Sequence, residues 1–212
     1  MKKIVVLISG SGANLQAIID ACQAGEINGK IVSVISNKAE AYGLTRAKKA
    51  HIPTALFERK NFANNLEMDR AIAKHIETVE ADLVVLAGYM KILSDEFTMR
   101  FAGKILNIHP SLLPKYKGLH TYQQALEAGE TEHGTTVHFV TPELDSGAII
   151  LQAKVPIFPE DEISDIEERV KAQETQIYPL VIKWFTTDRL KEMNGKAYLD
   201  GQLLPENGYA NE

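Results

Sequence analysis

Cysteine is nearly missing from this chain: Cys22 is the only one in 212 residues. A single thiol builds neither a disulfide framework nor a thiolate metal centre, so a reducing compartment is compatible, and Cys22 reads as a core residue. An excess of positive charge is missing too. Lys and Arg total 23 against 28 Asp and Glu, a net charge of −5, which offers no overall basic surface to a phosphate backbone and argues against nucleic acid as a partner. No segment approaches the eighteen or so apolar residues of a membrane span. The run Ile4-Val5-Val6-Leu7-Ile8 after two lysines is too short for a signal peptide and is followed by Ser9, Ser11 and Asn14. A cytoplasmic protein with no membrane partner is the expectation. Repeats and low-complexity linkers are also lacking, and with 45% apolar residues the chain is expected to form one domain, 1–212.

What is present alternates. Ile4 to Ile8 is a continuous apolar run, β-branched except at Leu7, the pattern of a strand covered on both faces. Ser9-Gly10-Ser11-Gly12-Ala13-Asn14 follows, then helical spacing through Leu15, Ile18, Ile19 and Cys22. Strand, glycine turn and helix make a ready phosphate site, because backbone N–H groups can approach an anion at the positive end of the helix. The same residues would also serve as a plain tight turn. A dinucleotide fold is disfavoured: no third glycine completes the fingerprint, and the second strand, 31–36, ends at Asn37-Lys38 where an acid would hold a ribose. The turn is read as holding a single phosphate.

A helix over 43–50, a short strand over 54–57 and an amphipathic helix over 64–79 continue the pattern. Asp82 to Gly88 is another buried strand, and Tyr89-Met90-Lys91-Ile92-Leu93 follows it beyond the carboxyl end, where open α/β sheets bind ligands. Backbone groups there suit a flat heterocycle. Equally, Met90, Ile92 and Leu93 would pack under a helix capped by Ser94. The predicted fold is α/β: a Rossmann-like, doubly wound, mostly parallel sheet with helices on both faces and an antiparallel strand in the C-terminal half.

The stretch from Lys104 to Pro114 sets an amide and an imidazole among residues that otherwise form a buried strand. Asn107 and His109 are two apart and therefore share a face. Unpaired burial would cost about 1–3 kcal/mol each, so the pair calls for something to bond, if only the loop that follows. That loop is bounded by Pro110 and shaped by Pro114 and Gly118, with His120 read as a surface residue. A strand over 134–140 and a return strand over 148–155 enclose Thr141-Pro142-Glu143-Leu144-Asp145-Ser146-Gly147. Asp145 alone reads as a turn former, with Gly147 permitting the turn. The six histidines lack a metal spacing, His133 and His138 falling on opposite faces of one strand, so no metal is predicted. No serine sits in a Gly-x-Ser-x-Gly elbow, which disfavours a hydrolase triad. A long helix over 163–184 opens with acids and carries Lys171 and Glu174 one turn apart, as an ordinary surface ion pair would be. A closing ribbon over 190–204 and a frayed polar end complete the chain.

Asn107-Ile108-His109-Pro110-Ser111-Leu112-Leu113-Pro114 together with Gly134 through Gly147 resembles the paired signature of the folate-dependent formyltransferases. The turn Gly10 to Asn14 and the run Lys171-Ala172-Gln173-Glu174 resemble the branch of that family acting on glycinamide ribonucleotide in purine biosynthesis, and the likeness runs from Ile4 to Tyr209. It implies transfer of a formyl group from 10-formyltetrahydrofolate, a cosubstrate, to the amine of glycinamide ribonucleotide, with no metal. It implies that Asn107 and His109 stabilise the oxyanion, and that Asp145 tunes His109 and assists proton transfer. By the same resemblance Gly12, Ala13 and Asn14 bind the phosphate, Glu174 is the acid at the ribose, and Lys171 belongs to the substrate-binding set. Met90, Lys91, Ile92, Leu93 and Asn107 contact the folate, and Thr141, Pro142, Glu143, Leu144 and Asp145 close over its ring. Two positions depart from the family pattern: Asn65 stands where relatives carry an arginine that reaches the folate, and Ala13 where serine is common. A phosphate-binding half, 1–103, and a folate-binding and catalytic half, 104–212, acting as a monomer or weak homodimer on small molecules, are the organisation expected. Formyl transfer to methionyl-tRNA would bring a further C-terminal domain and basic surface; hydrolysis of formyl folate would bring an N-terminal regulatory domain. A nucleotide- or folate-binding module without chemistry is the alternative of another class.

Overall fold

Strand β1 (Lys2–Ile8) is the apolar run at the N-terminus, and Ile4 through Ile8 have no exposed surface at all. Such a strand is stable only with both faces covered, and each of its side chains contributes about 1.5–3 kcal/mol by burial. In the computed structural model, which describes residues 1–210, it belongs to a first unit, Met1–Asn107. The strand order there is β3-β2-β1-β4-β5, with every pair parallel: β2 (Gly29–Ser36), β3 (Thr54–Leu56), β4 (Leu83–Leu86) and the beginning of β5 (Ile105–His109). Helices α1 (Ala13–Gln23), α2 (Tyr42–Lys49), α3 (Asn65–Thr78) and α4 (Asp95–Arg100) alternate with the strands. Two of them start at side-chain caps, Asn64 accepting from Glu67 N–H at 2.9 Å and Ser94 accepting from Phe97 N–H at 3.2 Å, each cap worth about 1 kcal/mol.

The second unit begins at Ile108. Helix α5 (Thr121–Glu127) precedes β6 (Glu132–Phe139) and β7 (Ile149–Pro156), which pair antiparallel and continue the order as β5-β6-β7. Helix α6 (Ile163–Thr186) runs through Pro179 and buries Ile166, Val170, Tyr178, Val181 and Ile182. Val155, Ile166 and Val170 form one cluster, with Tyr122, Leu126 and Ile157 packed against it. The mostly parallel α/β fold predicted from the sequence is the fold observed. The closing ribbon is a separate three-stranded antiparallel sheet of β8 (Leu190–Met193), β9 (Lys196–Leu199) and β10 (Gln202–Leu203).

The tail differs from expectation. Tyr209 N–H donates to Ile150 O at 2.8 Å and its ring meets Trp184 edge-on at 5.4 Å, so an aromatic anchor docks the chain there. The last two positions of the expected frayed end, 211 and 212, lie outside the described residues. Cys22 also differs: it is half-buried rather than core. No described helix is long and apolar enough to cross a membrane.

Candidate active site

His109 ends β5, and its side chain is 8% exposed. Its two nitrogens face two acceptors. Nε2 lies 2.8 Å from the carbonyl oxygen of Tyr116, and Nδ1 lies 3.6 Å from Asp145 Oδ2. A carbonyl can only accept, so Nε2 carries a proton in this arrangement. Asp145 is held in turn by Gly118 N–H, which donates to the same Oδ2 at 2.9 Å, and its side chain is 7% exposed. A histidine and an acid 36 residues apart in the chain therefore meet, the two that the resemblance pairs. Asn107 lies two residues ahead of His109 on the same strand and is half-buried.

The turn that delivers Asp145 works differently from its sequence reading. Asp145 itself adopts the left-handed conformation, φ 49°, which a short polar side chain tolerates better than most. Gly147 has no such φ; it is required by space, because a Cβ there would sit 1.7 Å from Phe139 O. Ahead of Asp145, Pro142, Glu143 and Leu144 are exposed, and Thr141 Oγ1 donates to Glu143 O at 3.4 Å.

The pairing of Lys171 with Glu174 is corrected. Lys171 is exposed and bonds Glu167 at 2.7 Å, one turn back, whereas Glu174 points inward at 7% exposure. Side chains four apart on a helix are neighbours, so Glu167 competes for the lysine and burial removes Glu174 from it. The Glu174 carboxylate instead reaches Thr135, whose Oγ1 lies 3.0 Å from both Glu174 Oε2 and His109 O. One hydroxyl proton is shared between the end of β5 and helix α6. Thr135, Tyr116 and Gly118 were not singled out as site residues; only the alternation of β6 and the glycine at 118 pointed toward them.

In the first unit, Gly12 caps α1 with φ 77°, and a Cβ there would lie 2.7 Å from Gly43 Cα. Only glycine satisfies both demands. Ala13 is exposed and Asn14 half-buried, and the first turn of α1 contains no acid. Arg46 Nε donates to Ser11 O at 2.7 Å, bracing the turn with a cation. Beyond β4, Met90 and Ile92 are 64% and 72% exposed, while Leu93 is buried, so the reading of all three as packing residues holds only for Leu93. Asn65 Oδ1 accepts from Lys91 Nζ at 2.5 Å and from Arg59 Nε at 2.8 Å.

Burial disfavours the charged form of two further histidines, His133 and His138. Burial lowers the pKa of His133, and that of His138, bonded through Nδ1 to Phe139 O, falls to about 4 for the same reason. Among the described residues no three His, Cys, Asp or Glu side chains gather as a metal site.

Residues 2–182 match the formyl transferase family, and the chain belongs to it. Over 212 residues it is 69% identical to the phosphoribosylglycinamide formyltransferase of Haemophilus influenzae, covering all of both chains. It is 57% identical over 207 residues to that of Escherichia coli, covering 98% of each. The solved structure of phosphoribosylglycinamide formyltransferase from Coxiella burnetii, in complex with CHES, superposes with a TM-score of 0.94 at 47% identity, covering 98% of each chain.

Proposed function

We propose that this chain transfers the formyl group of 10-formyltetrahydrofolate to the amine of glycinamide ribonucleotide, releasing formylglycinamide ribonucleotide and tetrahydrofolate. The observation that carries the reading is the His109–Asp145 pair, buried and 3.6 Å apart, in a chain 69% identical to a named enzyme of this specificity. The amine nitrogen attacks the formyl carbon and a C–N bond forms, the carbonyl pair moving onto oxygen. A fixed amide donor such as Asn107, aimed at that oxyanion, is worth about 3–4 kcal/mol. The carbon–nitrogen bond to folate then breaks with its electron pair on N10, which takes a proton while the attacking nitrogen loses one. His109, with acceptors facing both nitrogens, is built to carry that proton, a role worth about 10²- to 10⁴-fold. Asp145 steadies the charged ring during the exchange.

In this reading Gly12, Ala13 and Asn14 receive the phosphate, Glu174 serves the ribose, and Lys171 belongs to the same substrate-binding set. Met90, Lys91, Ile92 and Leu93 hold the folate ring through backbone groups, and Thr141 to Asp145 cover it. A cytoplasmic location and a monomer or weak homodimer acting on free small molecules belong to the same proposal.

An absorbance assay with 10-formyltetrahydrofolate, run with and without glycinamide ribonucleotide, tests it. Folate product that depends on the ribonucleotide is the expected result. Release without it would mean hydrolysis, and binding without product would mean a module that does no chemistry.

A further inference from the structure

The segment Met90–Leu93 has no regular structure, yet it is pinned at both ends by side chains from distant parts of the first unit. At its start Met90 N–H donates to Ser9 Oγ at 2.8 Å, and that hydroxyl donates to Asn37 Oδ1 at 2.6 Å. Just past its end Ser94 N–H donates to Asp69 Oδ2 at 2.7 Å. Both pins are buried, Ser9 at 7% exposure and Asp69 at 1%. Between them, no hydrogen bond among the described residues engages the backbone groups of Lys91, Ile92 or Leu93.

Asp69 is an expensive pin. Its carboxylate makes no ion pair among the described residues, and Oδ1 is buried without a partner. Beside it the Tyr89 hydroxyl is also buried and unpartnered, its pKa raised first by burial and then by the Asp69 charge. Capping α4 does not require this acid, since Ser94 already caps that helix through its own hydroxyl. A buried carboxylate does give a stronger, shorter bond to an N–H than a neutral acceptor does, and so fixes the point it holds more stiffly.

We propose that Asp69 and Ser9 are positioning residues for the formyl donor: they set the span of Met90–Leu93 so that its unbonded backbone groups stand ready for the edge of a flat, amide-like ring. The inference rests on the reading that this segment holds the folate. Its chemistry follows from geometry, since a strap fixed at two ends presents donors and acceptors at constant spacing and loses little freedom when a ring binds.

Calorimetric titration of the full chain with 10-formyltetrahydrofolate, and separately with glycinamide ribonucleotide, tests it in Asp69→Ala, Asp69→Asn and Ser9→Ala. Asp69→Ala should weaken donor binding about 5- to 30-fold and Ser9→Ala about 3- to 10-fold, the loss of one or two hydrogen bonds to fixed positions. Asp69→Asn, which keeps an acceptor for Ser94 N–H but a neutral one, should fall between Asp69→Ala and wild type. Ribonucleotide binding should stay close to wild type in both Asp69 variants, which lie away from the glycine turn. Unchanged donor affinity in folded Ser9→Ala and Asp69→Ala overturns the inference, as does equal weakening of both ligands in the Asp69 variants, which is what general loosening would produce. Should Asp69→Ala not fold, the comparison of Ser9→Ala with Asp69→Asn decides in the same way. Wild-type protein that binds donor but transfers nothing to the ribonucleotide would refute the proposed reaction while leaving the donor titrations decisive; wild type that binds no donor overturns both.

Discussion

His109 Nδ1 lies 3.6 Å from Asp145 Oδ2, and that same oxygen accepts Gly118 N–H at 2.9 Å. The acid is therefore oriented by the loop between β5 and α5 and faces the imidazole across a gap slightly longer than a hydrogen bond. The other ring nitrogen is fixed by Tyr116 O. Nδ1 is therefore the nitrogen that faces the acid.

Removing the imidazole separates chemistry from binding. His109→Ala should lower kcat for ribonucleotide-dependent transfer about 10²- to 10⁴-fold, with donor affinity within about threefold of wild type. Asp145→Asn, which can still accept Gly118 N–H but carries no charge, should lose less. Steady-state kinetics with both substrates varied are the check, and a folded His109→Ala variant with wild-type turnover would sink the mechanism.

Gly147 offers a test of the turn. A methyl group there would lie 1.7 Å from Phe139 O, so the backbone between β6 and β7 must move. Gly147→Ala should cost about 2–4 kcal/mol in urea denaturation and reduce turnover with it. Gly195→Ala is the reference: its φ is 77° but nothing lies within 4 Å, so strain alone should cost about 1 kcal/mol.

Stability should depend on pH through the buried histidines. His138 titrates near 4 in the folded chain against about 6.5 when unfolded, and burial also lowers His133 and His75. Between those values the unfolded state binds more protons, so stability rises with pH there. It should be full above about pH 7 and decline as the pH falls through 6.5 toward 4. Denaturation at pH 7.5 and 5 measures the slope, which His138→Gln should flatten; equal stability at both pH values would contradict the assignment.

Cys22 should be a poor nucleophile although it is not fully covered. Burial raises its thiol pKa to about 11, which leaves very little thiolate at neutral pH. Labelling with a disulfide reagent at pH 7.5 should be slow in the native protein and fast in urea. Rapid native labelling would mean that the environment of α1 is more open than described.

The strands were legible because apolar runs such as Ile4–Ile8 leave no polar side to expose, and Ser94 was legible as a cap because a hydroxyl ahead of two acids has few other uses. Asn107 and His109 stood out as polar groups in a buried strand, whereas Asp145 read as a turn former until the resemblance joined it to them. Helical spacing offers Lys171 three acids, Glu167, Glu168 and Glu174, and only the folded structure shows that Glu167 takes it while Glu174 turns inward to Thr135.

By itself, the sequence determined the alternation of strands and helices and the glycine turn that opens α1, because these follow from local periodicity; formyl transfer and the residues assigned to it entered only through the resemblance to the formyltransferases. Only the tertiary structure decided that Tyr116 O and Asp145 take opposite nitrogens of one imidazole, that Gly147 is a matter of space rather than of φ, and that Ser9 and Asp69 pin the two ends of Met90–Leu93. Those are contacts between residues far apart in the chain, and their distances arise from packing, which no local pattern encodes.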